Sequence, residues 1–129
     1  MAGTNTITYD EVGVIKKVIM TWVSDASGDV DSTLTKKLNG QILRAVHVPD
    51  SGGTQPTNAY DVTIEDTDEL DILDGTGANI SNSAASQFCP SVTDGSAGNQ
   101  APCVVCSTLE LKVANAGNAK GGKVILYMR

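Results

Sequence analysis

Apolar and polar positions alternate along most of this chain with the period of two that marks strands burying one face. Residues 4–10 place Ile7 and Tyr9 on one side and Thr6, Thr8 and Asp10 on the other. Residues 12–24 are apolar on both sides, Val14, Val18, Met20 and Trp22 against Ile15, Ile19 and Val23. Such a strand is expected to be central or covered by a partner. The turn formers of residues 24–29 follow. Residues 30–38 read as a strand, Asn39-Gly40 as a type I′ hairpin turn, and residues 41–48 as the return strand. Residues 49–58 are a Gly/Pro-rich loop, and residues 59–65 alternate again, with Tyr60, Val62 and Ile64 inward.

Beyond this point the signal weakens. Residues 66–74 are acidic, with Leu70, Ile72 and Leu73 embedded, and predict a turn or short strand. Residues 75–102 hold few large apolar side chains and much Gly, Ser, Ala and Asn. They predict an exposed functional excursion with one helical turn near residues 83–87, since structureless loops of this length are unusual in compact domains. Residues 104–113 resume as a strand gathering Val105, Leu109, Leu111 and Val113. A small-residue turn over 114–122 leads to a last strand, 123–129, with Val124, Leu126 and Met128 on one side. The expected fold is all-β: a single domain over residues 1–129, a β-sandwich or jelly-roll-like barrel of seven or eight strands with a long Gly/Ser/Ala-rich loop.

Composition narrows the function classes. A chain of 129 residues can bury a core without a metal or disulfide staple, and with aromatics at 4% that core is built from Val, Ile, Leu and Ala. The net charge of −6 opposes binding to a phosphate backbone. No apolar run has the length of a transmembrane helix, and Met1-Ala-Gly-Thr-Asn5 lacks the basic and apolar segments of a signal peptide. The protein is therefore expected to be made and kept in the cytoplasm unless it leaves within a larger particle, with neither nucleic acid nor membrane as partner.

Candidate chemistry is sparse. The lone histidine, His47, falls on the strand face of Gln41, Leu43 and Ala45, and no Gly-x-Ser-x-Gly elbow supplies a nucleophile for it. It reads as a structural or surface residue. Cys103-Val-Val-Cys106 has C-x-x-C spacing, and with Cys89 and His47 it evokes a Cys₃His zinc site. Residues three apart on a strand point to opposite faces, which opposes that geometry. Small buried hydrophobes, or a disulfide from Cys89 formed after release, are the other readings. Asp66, Asp68, Glu69, Asp71 and Asp74 fail the EF-hand pattern, because Leu70 and Asp71 stand where an oxygen ligand and a glycine are required. Gly52-Gly53 and Gly75-Thr-Gly77 lack a strand–glycine–helix context and read as turns. Among the aromatics only Phe88 falls in a loop, where it could anchor a protein contact. No catalytic, cofactor-binding or metal-binding residue is expected, and the chain is read as a non-enzyme.

Four stretches together carry a resemblance: residues 18–28 (VIMTWVSDASG), 42–50 (ILRAVHVPD), 60–66 with 71–77 (YDVTIED, DILDGTG) and 113–127 (VANAGNAKGGKVILY). They resemble small head decoration, or cement, proteins of tailed bacteriophages. The resemblance spans most of the chain but not residues 86–106, and it rests on turn and strand patterns. It implies a β-sandwich that binds the outside of an assembled capsid and bridges major capsid protein subunits against the pressure of packaged DNA. It further implies self-association, a trimer favoured over a dimer, and a location on the virion exterior. The alternative is a tail-fibre, baseplate or host-adhesion module that binds through residues 75–102.

Overall fold

The computed structural model describes residues 3–30, 33–93 and 100–129. Its strands are β1 (Thr4–Asp10), β2 (Lys16–Val23), β3 (Leu38–Pro49), β4 (Asp61–Glu65), β5 (Ser86–Phe88), β6 (Ser91–Thr93), β7 (Gln100–Pro102), β8 (Val104–Ser107), β9 (Glu110–Ala114) and β10 (Gly121–Met128). Among the described residues the only helical piece is a single 3₁₀ turn at Gly52–Thr54. A six-stranded antiparallel sheet runs β1-β2-β10-β3-β5, with β8 also paired to β3, and curls into a half-barrel. β4 and β9 form a second, two-stranded sheet, and β6 and β7 a third. The all-β expectation holds.

One core joins the two main sheets. Val18, Met20 and Trp22 of β2 and Val124, Leu126 and Met128 of β10 cluster with Val62, Ile64, Leu111 and Val113 of the smaller sheet. Trp22 meets Tyr60 with ring centroids 5.6 Å apart and planes tilted by 50°. These side chains occupy alternate positions along their strands, and of the two apolar sides of β2 the one carrying Val18, Met20 and Trp22 faces the core.

Four expectations fail, each for a structural reason. Residues 12–15 are not strand: the β1–β2 hairpin turns there, with Gly13 at φ 89°, and leaves Val12, Val14 and Ile15 exposed. Asn39-Gly40 is not a hairpin turn but lies inside β3, where Asn39 pairs with Cys106 and Gly40 with Val105. Residues 30 and 34 form only isolated bridges, to Val113 and Glu110, so the strand expected over 30–38 is absent among the described residues. Residues 104–113 break into β8 and β9, and the break lets one segment leave the large sheet and enter the small one.

Residues 94–99 of the expected excursion lie outside the described residues, and residues 75–93 and 100–102 are more structured than their composition suggested. No helical turn forms near residues 83–87. Ser86–Phe88 instead pair with β3, placing Phe88 opposite Ala45, Gln87 opposite Val46 and Ser86 opposite His47. β3 has twelve residues, and β8 reaches only Leu38–Gln41 of its edge. β5 satisfies the backbone groups further along, which would otherwise be left without partners. Phe88 is accordingly half-buried against the core rather than free in a loop.

Candidate functional site

His47 sits on the core face of β3 and is fully buried. The register slips by one residue between Tyr127 and Met128, so Ile42 rather than Gln41 or Leu43 shares the core with Ala45 and His47. Its ring meets Phe88 edge-on at 5.7 Å. Neither ring nitrogen has a hydrogen-bond partner among the described residues. Burial without a compensating charge drives its pKa down to about 4, so the imidazole is neutral at physiological pH. Ser86 lies opposite in register, but its hydroxyl also has no hydrogen-bond partner among the described residues. The pair lacks the contact between nucleophile and base, and the orienting third group, that acyl-transfer chemistry requires.

The three cysteines diverge. Cys103 is buried with its thiol toward the Ile72 carbonyl, at 3.5 Å, while Cys106 is exposed beside Asn39 Oδ1 and Cys89 is exposed. All three are free thiols. Among the described residues no three His, Cys, Asp or Glu side chains form a group able to hold a metal ion. The acidic stretch uses its carboxylates to order its own backbone. Asp66 Oδ1 accepts the N–H groups of Asp68 and Leu70. The two oxygens of Asp71 accept those of Ile64, Leu73 and Gly75. These are Asx-type turns that stiffen the loop.

The surface feature that stands out is apolar. Eight large hydrophobic side chains are exposed among the described residues, and six of them, Val12, Val14, Ile15, Leu34, Leu70 and Val104, lie in segments at one pole of the half-barrel. The registers place them together. β1 ends there at Asp10 opposite Lys17, β3 begins there at Leu38 opposite Ser107, and β4 ends there at Glu65 opposite Glu110. The hairpin tip is the most prominent part, with Val12 at 90% and Val14 at 72% relative exposure. Behind it Lys36 pairs with Glu11 at 2.6 Å, and its backbone N–H donates to the Tyr9 hydroxyl at 2.8 Å, which fixes the base of the tip.

The opposite pole is closed by hydrogen bonds instead. The Ser24 hydroxyl accepts the Lys120 N–H at 2.9 Å, the Thr57 N–H donates to the Ala116 carbonyl, and the Asp50 N–H to the Gly121 carbonyl. The apolar pole is not legible in the hydrophobic pattern, which places Val14 and Ile15 in a two-faced strand. Gly13, flanked by valines, is the one local signal of a turn.

Comparison of the chain with protein-family models, with curated proteins and with solved structures finds no match.

Proposed function

We propose that this protein is a capsid decoration protein, which binds the outer surface of a tailed-phage head and bridges major capsid protein subunits without catalysing a reaction. The observation that carries the reading is the gathering of exposed aliphatic side chains at one pole, centred on the β1–β2 tip. Such patches, rimmed by polar residues, are characteristic of protein-binding surfaces. Burying Val12, Val14 and Ile15 in a partner would contribute on the order of 1.5–3 kcal/mol for each side chain. The residue patterns that resemble head decoration proteins support the choice of partner, and the acidic surface suits a capsid exterior better than a genome-facing role. Copies of the chain meet on the shell in this reading.

The test is co-sedimentation of the purified chain with mature phage heads stripped of it, followed by imaging. Ordered occupancy of the shell is expected. The double variant Val12→Asp, Val14→Asp should fold normally, since both positions are exposed, and lose most of that occupancy. A wild-type chain that ignores heads but binds tails or host cells would replace this reading with that of an adhesion module.

A further inference from the structure

The six-stranded sheet has a second face, turned away from the core. Alternation along β2, β10 and β3 sets three rows on it. Lys17, Tyr127 and Arg44 form one, Ile19, Ile125 and Val46 the next, and Thr21, Lys123 and Val48 the third. The middle row is an aliphatic stripe across three strands, in which Ile19 and Ile125 are half-buried and Val46 is buried. It ends in a depression of about 210 Å³ lined by Arg44, Val46, Ala85, Ser86 and Gln87. Tyr127 is held between two cations, with Lys17 Nζ at 5.4 Å and the Arg44 guanidinium at 4.8 Å from its ring centre.

This face is basic on an acidic protein. It carries Lys17, Arg44 and Lys123, and the only acid in these rows extended onto β1 is Asp10, at the far edge. The chain as a whole has a net charge of −6. The compensating excess of acid is concentrated where β4 ends. Residues 66–74 contain five carboxylates and no base, and Leu70 stands in their turn at 64% exposure. Asp66 orders that turn through its carboxylate and through backbone bonds with Leu70 and Glu69. Neither Asp68 nor Glu69 forms a salt bridge with a described residue.

We propose that a second copy of the chain docks its 66–70 turn on this sheet face. Leu70 lies on the half-buried Ile19 and Ile125 of the stripe, and Asp68 and Glu69 face Lys17, Arg44 and Lys123. Each surface is apolar at its centre, and the charges around the two centres are of opposite sign, the arrangement that steers association and fixes its register. The turn is pre-ordered, so little freedom is lost on docking. Knob and face are separate surfaces, so copies either reciprocate the contact in a two-fold dimer or add head to tail, closing into a ring or continuing as a chain. The inference deepens the reading above by naming the contact through which copies meet, and it assigns Leu70 to the neighbouring copy, leaving Val12, Val14 and Ile15 of the tip for the capsid. Its test uses the isolated chain without capsid, so either idea can fail alone.

Analytical ultracentrifugation over a wide concentration range, at low and high salt, is the measurement. Wild-type protein should self-associate, more tightly at low salt. Arg44→Glu removes the face and Leu70→Asp removes the knob, and each should weaken association by ~10-fold or more. An equimolar mixture of the two variants should form a dimer and nothing larger, because one intact knob meets one intact face. If either variant fails to fold by circular dichroism, Arg44→Gln or Leu70→Ser replaces it. A wild-type chain that stays monomeric overturns the proposal, as does assembly indifferent to both variants. Loss of association in Val12→Asp, Val14→Asp would also overturn it, by moving the contact to the hairpin tip.

Discussion

At His47 the side chain and its surroundings disagree. The imidazole is fully buried, faces Phe88 edge-on, and has no hydrogen-bond partner for either nitrogen among the described residues. Its pKa is pulled down to about 4 from the usual 6.5 by burial. Between those two values the unfolded chain binds a proton that the folded chain refuses. Stability is therefore complete above pH 6.5 and declines as pH falls toward 4, by roughly 3 kcal/mol at most. Urea unfolding of wild type and His47→Leu across this window should show the decline in the wild type and not in the variant, so the difference between them grows as pH falls. At neutral pH the leucine variant should be as stable as wild type or more so, because an unpaired buried polar group is removed. Equal slopes in both proteins would mean that the imidazole is solvated. Gly40 is decided by its surroundings in a different way. It has φ 142°, and a Cβ there would run into the carbonyl oxygen of Arg129, which accepts the N–H of Gln41. Glycine serves close backbone approach here, not a hairpin turn.

At the scale of the element, β8 shows how alternation sorts chemically identical side chains. Cys103 precedes the strand and points into the core, while Cys106, three residues on, points to solvent. Burial raises the Cys103 pKa, and the carboxylates of Asp66, Asp71 and Asp74 raise it further. A thiol reagent added to native protein should modify Cys89 and Cys106 quickly and Cys103 only on unfolding, since the thiolate is the reactive form. Fast labelling of all three would contradict the core position of Cys103. The same element shows why residues 104–113 could not be divided from sequence. Val105, Leu109, Leu111 and Val113 are all buried, but Val105 belongs to a strand paired with β3 and Val113 to one paired with β4. Hydrophobic spacing reports the burial and is silent on the change of sheet.

Across the whole molecule, stability depends on one core shared by both main sheets. Trp22 of the large sheet is buried against Tyr60, beside the small one. Trp22→Ala should cost about 3–5 kcal/mol, a large share of the roughly 5–15 kcal/mol available to a domain of this kind. Denaturant unfolding followed by far-ultraviolet circular dichroism measures it. A cost below about 1 kcal/mol would show that the indole does not help hold the sheets together. The same architecture segregates the surface. Strand ends at one pole carry the apolar tip, and the outward sheet face and the 66–70 turn carry opposite charge.

The sequence by itself determined the class of fold and most of the core. Alternate residues of a strand face opposite sides whatever lies around them, so the pattern alone groups Ile7 with Tyr9, Val62 with Ile64 and Val124 with Leu126 on one side, while for β2 it left both sides apolar and the fold chose Val18, Met20 and Trp22 for the core. What only the tertiary structure decided were the partners. Whether Asn39-Gly40 turns or pairs depends on β8 arriving at its edge, and whether residues 86–88 coil or extend depends on an unpaired stretch of β3. The apolar pole and the basic sheet face were hidden for the same reason. Each is assembled from residues far apart in the chain, and hydrogen bonding between strands, a non-local interaction, brings them side by side.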